Sequence, residues 1–273
     1  MAVGAYVRVI GPTGVIGRYM GRKTRGDAQM QSRTRSEPHQ GVRNALLRQL
    51  RPDEFRRLRE QMQETALEFR QPIYEQDNPV KDIYFPNTGV VSMIVELADG
   101  GVIEAGTIGY EGMTGVPAAL TGRAAPGTAF VQIPGHGLRL PASVLIAEQA
   151  RPASPVIRMV HAYLNYVMGM LGQSAACNRM HAVESRMARW LLMTHDRVEA
   201  DEFPLTQEFL SQMLGVQRPT VNIASSALQR AGFIRYTRGR ITIVDRGGLE
   251  SSACECYAHL QELLTDTLAA AAG

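Results

Sequence analysis

Arginine, asparagine and glutamine carry the forked donors and donor–acceptor amides that match the exposed edges of base pairs in a DNA major groove. This chain sets Gln217, Arg218 and Asn222 within one short stretch. Arg218 and Asn222 are one helical turn apart, Ser226 is a turn further on and Thr220 lies on the flank, so a helix would carry them outward while Val221, Ala224 and Leu228 face inward. Gln217 sits at the start, where helical phase does not fix its direction. Arg235, Arg238 and Arg240 follow closely, and cations in such a position neutralise backbone phosphates without reading sequence. The chemistry on offer is base reading by Gln217, Arg218 and Asn222, with backbone contacts from Thr206, Thr220, Ser226, Arg235, Arg238 and Arg240.

Two helices in a tight corner would position these groups. The first opens at Thr206, whose hydroxyl suits an N-cap, and carries Glu208 in its first turn, where the helix dipole favours negative charge. Phe209, Leu210, Met213 and Leu214 then recur at helical spacing, and Gly215 supplies the positive φ that ends a helix sharply. Val216 plugs the corner. A second helix starts around residues 217–219, where Pro219 is tolerated because the first-turn N–H groups lack intrahelical partners. Strands at 233–237 and 241–244 with a turn through Arg238 and Gly239 complete a basic hairpin. Residues 204–247 hold six arginines against two acids. An ordinary helical corner with solvated arginines is the alternative, and it leaves the attached basic hairpin unexplained.

At 273 residues with 45% hydrophobic content, the chain is long enough for one or two cores. Residues 1–43 carry eight basic against two acidic side chains, and residues 44–150 carry nine against thirteen. The apolar runs fall short of the roughly 20 residues of a membrane span, and the N-terminus has no signal-like apolar core, which points to a cytoplasmic protein without membrane contact. Cys177, Cys254 and Cys256 are too few for a disulfide framework, and the Cys254-x-Cys256 pair lacks a second ligand pair at zinc-site spacing. They are expected to be core or helix-face cysteines, with no metal and no cofactor.

Residues 1–42 are predicted to be a flexible basic tail. Within it, Gly11-Pro12-Thr13-Gly14-Val15-Ile16-Gly17 resembles a dinucleotide-binding turn, but neither an apolar helix face nor a second strand with an acid follows, which argues against an NAD-dependent enzyme. A helix is predicted over 51–62. From 66 to 140 the chain turns to short apolar or alternating runs, such as 83–85, 90–95 and 129–133, broken by turn signals, and predicts an antiparallel sandwich or roll as a sensor domain over 43–150. A short helix at 142–149 precedes a long one from about Pro155, assigned to residues 151–180. On it Val156, Met159, Tyr163, Tyr166, Met170 and Cys177 form an apolar stripe expected to serve a dimer. Residues 181–273 make the last unit. Its first helix, 181–195, is expected to gather Val183, Met187, Trp190 and Leu191 on one side with Ser185 and Arg189 on the other, and its last spans 249–268.

In this order, residues 43–245 resemble the Crp/Fnr family of transcription regulators, the relatives of the cyclic-AMP receptor. The resemblance rests on Leu205-Thr206-Gln207, on Gly215-Val216-Gln217-Arg218-Pro219-Thr220-Val221, on Gly232-Phe233-Ile234 and on Ile241-Thr242-Ile243. It implies an α+β fold with an N-terminal antiparallel β-roll, a long dimerisation helix and a C-terminal winged helix-turn-helix. It also implies a non-enzymatic homodimer on pseudo-palindromic promoter DNA, with RNA polymerase as a further partner, Arg218 as guanine reader, Thr220 on a phosphate, and Arg238 and Arg240 as wing contacts. Many members have Arg-Glu-Thr-Val, then Ser or Gly and Arg; here Pro219 and Ile223 replace two contact residues, so the half-site should differ.

The sensor departs further. Gly109-Tyr110-Glu111-Gly112-Met113 and Pro126-Gly127-Thr128-Ala129 stand where members that bind a cyclic nucleotide carry their ribose and phosphate residues, and the phosphate-binding arginine is missing. Glu111, Arg123 and Thr128 are the candidate effector residues, and only a loop folding back on Arg123 would restore a cation. The absence of cysteine before Cys177 argues against an N-terminal iron–sulfur cluster, and His136 or His161 would be the residues for a haem. The effector is therefore unidentified and not expected to be a conventionally bound cyclic nucleotide, and whether the chain needs one is left open by the sequence. A sensor module that does not read DNA is the other reading.

Overall fold

The structure, a computed structural model, describes residues 39–98 and 100–272. The glycine motif at 11–17 and most of the basic tail lie outside the described residues. Helix α1 (Pro52–Arg59) opens on Pro52 with Asp53 and Glu54 in its first turn, a proline-and-acid start that suits the free N–H groups there. The roll follows as strands β1 (Gln63–Leu67), β2 (Pro72–Tyr74), β3 (Asp82–Pro86), β4 (Val90–Glu96) and β5 (Val102–Ile108), helix α2 (Val116–Thr121), strands β6 (Thr128–Ile133) and β7 (Gly135–Pro141), and helix α3 (Ala142–Glu148). Every pairing is antiparallel, in a three-stranded sheet β1-β7-β3 and a four-stranded sheet β2-β6-β4-β5. Leu67, Tyr84, Val91, Ile108, Ala129 and Val131 form a small core of their own, to which both sheets contribute.

Helix α4 (Pro155–Met180) begins at an N-cap, Ser154, whose hydroxyl accepts from the Ile157 N–H at 3.4 Å. Its stripe Val156, Met159, Tyr163, Tyr166, Met170 and Cys177 is fully buried within the chain. This corrects the expectation that these residues present a dimer surface. Burying each such side chain is worth about 1.5–3 kcal/mol, and here the roll and the last helix, α9 (Cys256–Ala272), take that contribution inside the protomer. A Cβ on Gly169 would come 2.6 Å from Leu263 Cδ2, so the glycine is what lets α9 lie so close to α4. The exposed arc of α4 lies opposite: Arg158, His161, Asn165, Met168, Gly172, Ala175 and Arg179, alternating at three- and four-residue steps.

The C-terminal module comprises α5 (Val183–His195), β8 (Glu202–Pro204), α6 (Gln207–Leu214), α7 (Arg218–Arg230), β9 (Ile234–Thr237), β10 (Arg240–Ile243) and α8 (Arg246–Ser252). Its core joins Met187, Leu191, Leu210, Leu214, Val221, Leu228, Ile234 and Ile241. Two expectations are corrected. Helix α5 is buried on nearly all sides from Arg186 to Thr194, so Arg189 lies inside and not on an outer face. The single helix expected over 249–268 is two: Ala253 turns extended and ends α8, and the break places Cys254 and Cys256 on either side of Glu255.

The module docks on the roll through buried polar contacts that local pattern could not reveal. Trp190 Nε1 donates to Glu104 Oε1 at 2.8 Å, and the Ser92 hydroxyl donates to the other Glu104 oxygen. Arg197 Nη2 meets Glu111 Oε1 at 2.7 Å, with both side chains only 4% exposed. Burial pushes the Glu104 carboxyl above the usual carboxylate range, against the pull of the Ser92 and Trp190 hydrogen bonds.

Candidate nucleic-acid interface

The corner is built as its residues require. Thr206 stands extended at the start of α6, and its hydroxyl accepts from the Phe209 N–H at 3.2 Å. Gly215 takes φ 62° at the end of the same helix. Val216 packs on the module core, Gln217 caps α7 in an extended conformation, and Pro219 occupies its first turn. Val221, Ala224, Ser225 and Leu228 bury the inner face of α7. Gln217, Arg218 and Asn222 are exposed on the outer side, and Thr220 and Ser226 are half-buried at its margins. Ile223, 71% exposed, stands next to Asn222 and is the one large apolar side chain on that surface.

Arg218 is not idle: Nη2 lies 2.5 Å from Glu208 Oε2 on α6, an ion pair open to solvent at 58% and 62% side-chain exposure. Strands β9 and β10 close a two-residue turn in which Arg238 (φ 50°) and Gly239 (φ 74°) both take the left-handed conformation that matches the twist of a hairpin. Arg235 and Arg238 are exposed. Arg240 is engaged, its Nε 2.5 Å from Glu202 Oε1 on β8, the third strand of the wing, which sequence reasoning missed. Thr206, Gln207, Tyr236, Arg238 and Gly239 together surround an open depression between the start of α6 and the wing tip. Thr206 and Arg238, far apart in the chain's local pattern, are thereby brought to one place.

The candidate effector residues are not brought together. A cavity of about 250 Å³ lies between the roll and α4, lined by Tyr74, Met93, Met113, Tyr163, Leu164 and Val167 among others. Thr128 is on its wall. Arg123 is exposed and outside the lining, and Glu111 is buried in the Arg197 ion pair, so the expected grouping of Glu111, Arg123 and Thr128 is corrected. The physical reason is that a buried carboxylate needs a cation, and Glu111 finds Arg197 on the neighbouring module. No charged side chain is among the lining residues. His136 shares a 2.9 Å hydrogen bond with Thr88 on an exposed edge, and His161 is exposed on α4, so neither faces the cavity.

The three cysteines are buried, as expected of core residues, and they meet one another. Cys177 at the end of α4, His181 just beyond it, and Cys254 and Cys256 converge, with all four ligand atoms within 4.8 Å of one another. Sequence spacing hid this because Cys177 and Cys254 lie 77 residues apart.

Among the described residues no helix is long and apolar enough to cross a membrane. No curated protein matches the sequence. Residues 185–252 match the family model of the Crp-like helix-turn-helix domain. Among solved structures the chain is similar to a protein from Eubacterium rectale assigned to the crp/fnr family of transcriptional regulators, at 16% identity and TM-score 0.60 over 76% of this chain and 96% of that one. It is similar to FixK2 from Bradyrhizobium japonicum at 18% identity and TM-score 0.57, over 71% of this chain and 98% of that one. A CRP-family transcriptional regulator from Thermus thermophilus matches at 21% identity and TM-score 0.57, over 69% of this chain and 96% of that one. The β-roll, the long helix and the matched domain together make this chain a protein of the Crp/Fnr transcription-regulator fold with a Crp-like helix-turn-helix domain.

Proposed function

We propose that the protein is a non-enzymatic regulator that reads duplex DNA through α7. The observation that carries this reading is the outer surface of α7, where Gln217, Arg218, Asn222 and Ile223 stand exposed at the N-terminal turns, Arg218 paired to Glu208 of α6. Arg218 is suited to guanine O6 and N7, Asn222 to adenine, and Ile223 to a thymine methyl group. Thr220, Ser226 and Arg235 are placed for the backbone beside them. Glu202 and Glu208 hold Arg240 and Arg218 in the free protein and must release or share them when phosphates or bases arrive.

Two recognition helices reading half-sites about one DNA turn apart require a dimer. The exposed arc of α4 supplies its seam: His161, Asn165, Met168, Gly172 and Ala175 follow a four-, three-residue rhythm, and the small residues allow close approach of a second copy. The cavity borders this same helix through Tyr163, Leu164, Val167 and Leu171, so an occupant would bias α4 and with it the spacing of the two α7 helices. A coupling of about 1–3 kcal/mol would change operator affinity by about 5- to 150-fold. The uncharged lining selects a neutral, largely apolar effector, because a cyclic phosphate would be buried there without a cation.

Titration of a random-sequence duplex and of a selected duplex, each across a salt series, tests the reading. Arg218→Ala is expected to cost about 1–3 kcal/mol at one position of each half-site and to leave binding to random duplex nearly unchanged. Equal loss on both duplexes would make Arg218 a phosphate anchor. Absence of any preference in the unmodified protein would refute the reading.

A further inference from the structure

We propose that Cys177, His181, Cys254 and Cys256 form a mononuclear zinc site that pins the start of α9 to the junction between α4 and α5. The inference does not depend on DNA reading and would stand if that reading failed.

The geometry is that of a tetrahedral site. Bonds of about 2.3 Å from zinc to sulfur and about 2.0 Å to nitrogen place neighbouring ligand atoms about 3.5–3.8 Å apart. Cys177 Sγ lies 3.5 Å from Cys254 Sγ, and Cys256 Sγ lies 3.4 Å from His181 Nδ1, already the edges of such a tetrahedron before any adjustment. The thiols are free and buried, and their packing makes a small cluster separate from the hydrophobic cores. Four ligand atoms within 4.8 Å surround one ion and leave no space for a multi-iron cluster. Three thiolates and one imidazole form a donor set that favours zinc in closed, structural sites.

The surroundings are those of a ligand set. His181 directs Nδ1 at Cys256, and its other ring nitrogen lies 3.1 Å from Glu255 Oε1, the carboxylate–histidine arrangement that fixes the ring and its tautomer at metal sites. Gln173 Nε2 donates to Cys256 Sγ at 3.0 Å, an outer hydrogen bond of the kind that orients a metal ligand. Three thiolates on one divalent ion leave one net negative charge. Arg186 and Arg189, both buried on α5, form no ion pair among the described residues, and each has an Nε without a partner. Both interact electrostatically with Cys177. Arg189 also feels the Glu104 carboxyl, and an anionic metal centre would add countercharge beside this buried pair.

The position gives the site its effect. Cys177 is in the last turn of α4, and His181 is the residue that ends it, with its N–H bonded to the Cys177 carbonyl at 3.1 Å. Cys254 and Cys256 bracket the break between α8 and α9. One ion therefore joins the end of the long helix α4, two residues before α5 begins, to the start of the C-terminal helix α9 at a single point.

The test uses the full chain, purified under reducing conditions and stripped of metal, with Co2+ as the spectroscopic probe and Zn2+ in chelator competition. One Co2+ per chain with the intense visible bands of a tetrahedral thiolate site, displaced by one Zn2+, is expected. His181→Cys should keep a tetrahedral spectrum. Cys256→Ser should weaken or abolish it. The exposed Glu255→Gln leaves the packing intact and should weaken zinc about ten-fold through the histidine alone. Failure of the reduced parent protein to give the tetrahedral spectrum overturns the proposal. So does an unaltered spectrum in Cys256→Ser, as does a Cys177–Cys254 disulfide in the protein as isolated whose reduction yields no zinc binding. The parent titration decides the matter even if the ligand variants do not fold.

Discussion

Glu208→Gln isolates the tension at the reading surface. In the free protein Glu208 Oε2 holds Arg218 Nη2 at 2.5 Å, with both side chains more than half exposed. An exposed ion pair of this kind is worth about 0.2–1 kcal/mol, whereas a guanidinium seated on a guanine is worth about 1–3 kcal/mol of discrimination, so base reading wins but by less than it otherwise would. Removing the carboxylate charge frees Arg218 and removes a negative charge facing the phosphates. Binding to the selected duplex should tighten by up to about five-fold, the equivalent of about 1 kcal/mol. The base preference at the Arg218 position should be unchanged. Fluorescence anisotropy with labelled duplex reads both quantities, and a double-mutant cycle with Arg218→Ala apportions them. If Glu208 acts through Arg218, most of the gain disappears in the Arg218→Ala background. Weaker binding by Glu208→Gln at equal thermal stability would refute the reasoning, and so would a gain that persists in full without Arg218.

Met168→Glu, placed at the 70% exposed centre of the α4 arc, should convert the dimer to a monomer in analytical ultracentrifugation without lowering the melting temperature; an unchanged dimer removes this seam. Glu104→Gln should melt higher than the parent at neutral pH. Burial raises the Glu104 carboxyl, so the native state favours the protonated form and loses stability as pH rises above the ordinary carboxylate range; melting curves of parent and variant should converge near about pH 4 and separate above it. A constant gap at all pH values would contradict this. Glu54 behaves oppositely: its hydrogen bond from Arg151 outweighs burial, and with Arg57 holds it at about 2. That stabilisation is full above the usual value of 4.5 and is lost as pH falls towards about 2. The shift corresponds to about 3 kcal/mol at most, and screening at the two-fifths-exposed arginines reduces this to about 1–2 kcal/mol. Glu54→Gln should therefore lower stability at neutral pH and flatten the acid limb of the denaturation profile.

Helix α7 and the corner before it were legible because their signals are local. Thr206, Gly215 and Pro219 each mark a helix boundary by their own backbone or hydroxyl chemistry, and alternating strands with turn residues announced the roll. What escaped was set by partners distant in the chain. Strand β8 is only Glu202–Pro204 and exists through pairing with β10. The apolar rhythm of α4 identified which residues are buried, but not that α9 and the roll bury them in place of a second copy. Glu111 stood as an effector candidate through its place in the Gly109–Met113 stretch, while its charge is answered by Arg197, 86 residues away. The cysteine cluster needed the α8–α9 break, which brings Cys254 to Cys177 across 77 residues.

Selection of duplexes from a random pool by the purified full chain, followed by sequencing of the enriched pool, tests the central claim most directly. The account predicts two inverted half-sites with centres about one helical turn apart, each with a base pair whose identity is lost in selections by Arg218→Ala. A pool that remains random after repeated rounds, or one enriched for a sequence that Arg218→Ala selects equally well, would contradict it.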